Sequence, residues 1–254
     1  MDIFDRKIKE LQKRGVSLGT RIGNPITTQT RPFEEQIQKY QGGTIYLKKD
    51  FENSTRKVDI YAVWGAIHTK WMQSGGLDGK LGAPMTDELV TPDKKGRFNH
   101  FKGGSIYWTP QTGAHIVWGE IRALWSKMGW ERSPLGYPIT DEIATPKPKD
   151  HGRYNHFESG SIYWTPETGA QYIPKDIFEA WGKVGHEREE MGFPIPEHMA
   201  KRTKFMHGDI PSKNLVLFEG GYIFRDSGGG IHTIIYEHLG DDVWDLAHPK
   251  GGKC

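Results

Sequence analysis

Two hydrophobic periods alternate along this chain. Ile121 and Trp125 stand four residues apart, led in by Val117 and Trp118 and followed by Lys127, Met128 and Gly129. That is the spacing of one helix face ending at a left-handed glycine. The same figure recurs as Trp64, Ile67, Trp71 and Gly75 one unit earlier, and as Ile177, Trp181 and Gly185 one unit later. Phe4, Ile8, Leu11 and Gly15 predict a charged amphipathic helix at the start, and Ile231, Ile235, Leu239 and Gly240 predict a fifth helix near the end. Between the helices lie runs rich in aromatic and β-branched residues, bounded by glycine and proline. Residues 153–157, 161–164 and 170–173 predict three short strands, with the TPETG stretch at 165–169 as a turn.

These patterns repeat four times. FKGGSIYWTPQTGA at 101–114 returns as FESGSIYWTPETGA at 157–170, with looser copies YQGGTIYLKKD from Tyr40 and FEGGYIFRDSGGG from Phe218. Upstream of each copy is a Gly-x-Pro element, IGNPI, LGAPMTDE, LGYPITDE or MGFPIPEH, whose prolines Pro25, Pro84, Pro138 and Pro194 are 59, 54 and 56 residues apart. In these elements Gly136 permits a backbone conformation closed to other residues, Pro138 fixes the next φ, and the flanking Leu135 and Tyr137 predict a buried turn. One supersecondary unit stacked on its own copies is the reading such a period requires. The predicted fold is therefore an α+β repeat protein of four tandem units, each a short antiparallel β element plus a helix, closed into a propeller-like ring. Closure would remove exposed sheet edges. The units run over 15–75, 76–129, 130–185 and 186–240 of a single repeat domain, 1–254, with a C-terminal tail at 241–254.

Composition narrows the function. Aromatics reach 12 % while hydrophobics as a whole are 35 %, so the core must lean on Trp, Tyr and Phe. Net charge is +2, from 34 basic and 32 acidic residues well mixed, which gives no basic stripe for nucleic acid. The single cysteine, Cys254, permits neither an intramolecular disulfide nor a cysteine zinc site. No run approaches the roughly 18 apolar residues of a membrane span. The charged start lacks a signal peptide's apolar stretch, so the expected location is cytoplasmic unless a leader has been removed, in which case secreted or cell-envelope.

Three sets of residues are candidates for chemistry. Trp108 and Trp164 end the Ile-Tyr-Trp strand beside Tyr107 and Tyr163; aromatic faces stack on sugar rings, and strand alternation sends Tyr and Trp to opposite faces. Arg97, Asn99 and His100, repeated as Arg153, Asn155 and His156, offer hydroxyl-bonding groups and a clamp for carboxylate or phosphate. The competing reading for both sets is packing and backbone satisfaction. The pairs Asp87–Glu88 and Asp141–Glu142 are read as structural, capping or pairing with Arg97 and Arg153, because adjacent carboxylates rarely face one another as glycoside hydrolysis needs. No nucleophile elbow, phosphate loop or HExxH is present, and neither cofactor nor metal is expected. The most asymmetric stretch, KRTKFMHGDIPSKN at 201–214 with His207 and Asp209, reads as a loop insertion.

The Leu-Gly-x-Pro element, the aromatic-x-Gly-Gly-x-Ile-Tyr strand, the Thr-Pro-x-Thr-Gly turn and the Ile-x-x-x-Trp-x-x-x-Gly helix together resemble the LGFP repeat family, from about Gly15 to Ile235. The resemblance implies a module of actinobacterial cell-envelope proteins, where such repeats are appended to mycolyltransferases and peptidoglycan amidases and are thought to anchor them to wall polysaccharide. The expected function is non-catalytic, multivalent, lectin-like binding of a cell-wall polysaccharide. The alternatives are a protein-interaction or toxin-like module using the ring as scaffold and, after it, a wall-glycan hydrolase.

Overall fold

The computed structural model describes residues 2–30, 33–51, 57–199 and 214–236. They form four α-helices and four antiparallel four-stranded sheets, each a meander whose strands neighbour one another in chain order. The chain divides into two compact units, Met1–Arg122 and Ala123–Cys254. The first holds α1 (Ile3–Lys13), β1 (Arg21–Thr30), β2 (Phe33–Tyr40), β3 (Gly43–Asp50), β4 (Val58–Trp64), α2 (Gly65–Gln73), β5 (Leu89–Val90), β6 (Arg97–Phe101), β7 (Gly104–Thr109) and β8 (Gly113–Trp118). The division falls within α3 (Gly119–Met128). The second unit continues with β9 (Ile143–Ala144), β10 (Arg153–Phe157), β11 (Gly160–Thr165), β12 (Gly169–Pro174), α4 (Lys175–Lys183), β13 (Pro194–Ile195), β14 (Leu215–Phe218), β15 (Gly221–Arg225) and β16 (Ile231–Ile235).

The Ile and Trp four apart on each repeat helix bury completely: Ile67 with Trp71, Ile121 with Trp125, Ile177 with Trp181. In the first unit, α2 packs with Val63 of the preceding sheet and with Phe101, Ile106 and Ile116 of the next. In the second, α4 packs with Tyr163 and Ile173 before it and with Phe218 and Ile223 after it. Each of α2 and α4 is thus an interleaf serving two sheets at once. The helix α1, started by an Asp2–Asp5 capping box, lays Phe4 and Leu11 on Tyr40, Ile45, Leu47 and Ala62.

The turns behave as their glycines require. Gly75, Gly129 and Gly185 follow the helices at φ 100°, 106° and 85°, the left-handed stop. In the Leu-Gly-x-Pro element Gly136 sits at φ 72°, where an added Cβ would fall 2.3 Å from Glu158 Oε2. That oxygen accepts from Tyr137 N at 2.9 Å. Leu81, Leu135 and Met191 of these elements are fully buried, and Trp71 Nε1 donates to Gly82 O at 3.0 Å, tying helix to turn.

Four expectations need correction. Each repeat sheet has four strands rather than three, because the two-residue strands β5 and β9 are too short to carry a period. Val117 and Trp118 end β8 instead of starting a helix. Gly23 and Pro25 of the first Gly-x-Pro element lie inside β1, at a register shift between Ile22 and Ile26, where an edge strand tolerates proline. Ile231 and Ile235 belong to β16, paired with Arg225 and Gly221: residues four apart share a face in a strand as well as in a helix. Leu239 and Gly240, His207 and Asp209, and Cys254 lie outside the described residues.

Trp181→Ala removes an interleaf ring, and a cost of about 3–5 kcal/mol is expected. Denaturant unfolding measures it; a loss below about 1 kcal/mol would contradict the packing described.

Candidate functional site

The pleat separates the candidate residues into two groups. The register pairs Arg97 with Trp108 and Asn99 with Ile106, and likewise Arg153 with Trp164 and Asn155 with Ile162. Arg, Asn and Trp therefore share one face, while His and Tyr take the other. On the first face Asn99 and Asn155 are fully buried. Asn99 Nδ2 donates to Thr86 O at 3.0 Å and Asn155 Nδ2 to Thr140 O at 2.9 Å, so both hold the Gly-x-Pro segment onto the sheet. Trp108 packs on the α2 cluster, and Trp164 is partly buried. Arg97 is exposed, whereas Arg153 donates to its own loop, at Gly152 O (2.6 Å) and Asp150 O (3.1 Å).

The opposite face is an aromatic layer. Tyr107 stacks on Phe98 at 5.0 Å, and Tyr163 on Tyr154 at 4.7 Å, with interplanar angles of 9° and 10°. His100 Nδ1 lies 2.7 Å from Ser105 Oγ, which also accepts from Arg122 Nε at 2.6 Å. His156 makes the same 2.7 Å contact with Ser161 Oγ. Burial pushes His100 down to about 4, helped by the Arg122 charge. His156 is lowered by burial and by His186. Ser105 and Ser161 are buried, so these Ser–His contacts present no nucleophile to a substrate.

In the second compact unit this layer opens into a cleft of about 430 Å³, within the ~300–1,000 Å³ range of small-molecule sites. Tyr154, Tyr163 and Phe178 supply its aromatic walls, and His156 and His186 stand between them. The His186 ring lies 4.8 Å from Phe178 and 5.0 Å, edge-on, from Trp181. Glu187, Arg188 and Glu189 complete the lining. Arg188 and Glu189 are exposed, but Glu187 is only 3 % accessible. Its Oε2 has no hydrogen-bond partner among the described residues, and neither has His186 Nε2. A buried polar atom left unmet costs about 1–3 kcal/mol, more when charged.

Reading the repeats for what they share brings out Tyr163 and His156 and misses Phe178, His186 and Glu187. The signal for the first two was their divergence: Phe178 stands where the preceding repeat has Arg122, and His186 where it has Trp130. Of the acidic pairs, Asp87 is structural, but its partners come from α1: Lys7 Nζ at 2.6 Å and Arg14 at 3.1 Å, with Ala62 N at 2.9 Å. Burial pushes Glu88 up to about 7 against the pull of Arg97 and Arg14. Among the described residues no group of His, Cys, Asp or Glu could hold a metal ion, and no helix is long and apolar enough to cross a membrane.

The family model of the LGFP repeat matches residues 81–133 and, a second time, residues 135–189. A comparison with curated proteins finds no match.

Because His100 binds its proton only near pH 4 when folded but near 6.5 when unfolded, the unfolded chain takes up more protons between those values. Stability is therefore expected to fall as pH drops from about 6.5 towards 4. Histidine NMR titration and unfolding at both ends of the window check this. His100→Gln should flatten the dependence; an unshifted His100 would contradict it.

Proposed function

The chain carries two LGFP repeats at its centre, and on that footing we propose that it binds polysaccharide without acting on it chemically. The observation supporting this most is the aromatic cleft walled by Tyr154, Tyr163 and Phe178, with His156 and His186 between them. Partly exposed rings give a sugar an apolar face to stack on, and the exposed Arg188 and Glu189 of the lining give its hydroxyls polar partners. The preceding repeat offers a related surface of different chemistry, Phe98, His100 and Tyr107 with Arg122 in place of Phe178. Several weak sites on one polymer would gain about 10²–10⁴ in avidity, which is how a lectin-like, multivalent protein holds a cell-wall glycan.

Two observations favour other readings. Met85 and Leu89, and again Ile139 and Ile143, are exposed apolar residues at repeat-equivalent positions, as a protein-docking surface would have. Glu187 and Glu189 place two carboxylates on one cleft, as a hydrolase would.

Sedimentation on insoluble cellulose, chitin, peptidoglycan and arabinogalactan tests the proposal. Retention is expected for the wild type and for Trp164→Ala. Phe178→Ala should weaken it by roughly tenfold, since a stacking contact is worth about 0.5–1.5 kcal/mol. Binding lost with Trp164 but kept without Phe178 would move the site to the other face. Release of reducing ends would overturn the non-catalytic reading, and no retention on any polymer would leave the docking surface.

A further inference from the structure

Resting on the glycan-binding reading, we propose that a second cavity of the same compact unit, on the other side of α4, is a subsite for a neutral, hydroxyl-rich sugar residue. The cavity measures about 400 Å³, again within the ~300–1,000 Å³ of small-molecule sites. Tyr172 and Pro174 of β12, Asp176 and Glu179 of α4 and Arg225 of β15 line it. Asp176 and Phe178 lie two residues apart, about 200° around a helix axis, so α4 turns Phe178 to the aromatic cleft and Asp176 to this cavity. Comparison of the repeats draws attention to it. Around α2 the equivalent positions hold Trp64, Ala66, Thr69 and Trp108; around α4 they hold Pro174, Asp176, Glu179 and Arg225. Two indoles are gone, which opens the space, and charged side chains enter it. Ala62 becomes Tyr172. The buried pair of the helix is kept, Ile67 and Trp71 recurring as Ile177 and Trp181, so the core does not call for these changes.

The new side chains form an array suited to hydroxyls. Arg225 Nε donates to Asp176 Oδ2 at 2.9 Å, and Nη2 donates to the same oxygen. Asp176 Oδ1 accepts from Ile177 N at 2.9 Å. Both planar groups are thereby held in place, and both keep bonding capacity. A guanidinium has five N–H donors, of which two serve Asp176, and a carboxylate has about four acceptor sites, of which three are taken. A hydroxyl both accepts and donates, so a sugar diol can accept from Arg225 and donate to Asp176 without parting the pair. An anion has to compete with Asp176 for Arg225, and a cation with Arg225 for Asp176. Lys175 and Glu179, exposed and of opposite sign, also line the cavity, so the lining has no net charge that would favour either. Tyr172 is partly buried and gives the apolar face of a sugar a ring to stack on. Burial raises the pKa of its hydroxyl, which keeps that group a neutral donor and acceptor.

The test is NMR titration of the full chain with five methyl glycosides at about pH 6, where carboxylate and amine are both charged. The glucoside, galactoside and arabinofuranoside are the neutral probes, the glucuronide is the acid and the glucosaminide is the amine. Saturable shifts at the Tyr172 ring and Arg225 Nε are expected from at least one neutral probe. Both charged probes should bind weaker by about fivefold or more, the worth of one surface ion pair at its upper end. Arg225→Trp restores the residue that the two preceding repeats carry as Trp108 and Trp164 and fills the cavity. It should abolish the Tyr172 shifts without lowering the unfolding midpoint, while shifts at His156 in the aromatic cleft remain. Asp176→Ala, the residue that α2 carries as Ala66, frees Arg225 and should turn the preference to the glucuronide. Shifts at His156 with Tyr172 unmoved by all five probes would overturn the subsite and leave glycan binding standing. No shift at either place, with no retention on any polymer, would overturn both. A wild-type response to the glucuronide or glucosaminide stronger than to every neutral probe would overturn the selection, as would Tyr172 shifts that persist in Arg225→Trp.

Discussion

Each of the two compact units is built around one indole shut between two sheets, Trp71 in the first and Trp181 in the second. Trp71 shares a buried cluster with Val63 of the sheet before and Phe101 of the sheet after, and Trp181 meets Tyr163 before it and Phe218 after it. A single four-stranded meander, its strands two to ten residues long, has little core of its own, and a helix of nine or ten residues has less. Placing the helix as an interleaf lets one large side chain serve both sheets. This is why a chain poor in aliphatic residues can still fold: a fully buried Trp contributes the packing of two or three smaller residues. It also explains the rigid grammar around the helix. The left-handed glycine must stop it, the Leu-Gly-x-Pro turn must return beneath it, and Trp71 must reach Gly82 O.

Much of that grammar was legible in the sequence, because it is repeated. The Ile–Trp spacing, the capping glycines, the buried leucine of the turn and the three long strands of each repeat all announce themselves as positions held constant between copies. What was illegible has physical causes. A two-residue strand such as β9 has no period. A spacing of four, as in Ile231 and Ile235, is common to strand and helix. Pro25 reads as a turn residue, yet a bulged edge strand accommodates it equally well.

The site was legible only in part, for a different reason. Shared positions in a repeat protein are the ones the scaffold needs, and Asn99 and Asn155 are the example: they look like sugar ligands and instead bond Thr86 O and Thr140 O. The strand alternation that sends Trp and Tyr to opposite faces also separates Asn from its neighbour His, so a motif contiguous in sequence is divided in space. Phe178 and His186 are positions where the later repeat departs from the preceding one, and both rings still pack at the edge of the core, against Trp181 and each other. Glu187 is shared with the preceding repeat as Glu131, and both are buried, so comparing the copies could not single it out.

The most direct measurement is a titration of the protein with a soluble oligosaccharide cut from a polymer that retains it, followed by the side-chain NMR resonances of His156, His186, Trp108 and Trp164. The account predicts saturable shifts at the two histidines, little change at the two indoles, and a weakened response in Phe178→Ala. Shifts centred on Trp108 or Trp164, with the histidines unmoved, would contradict it.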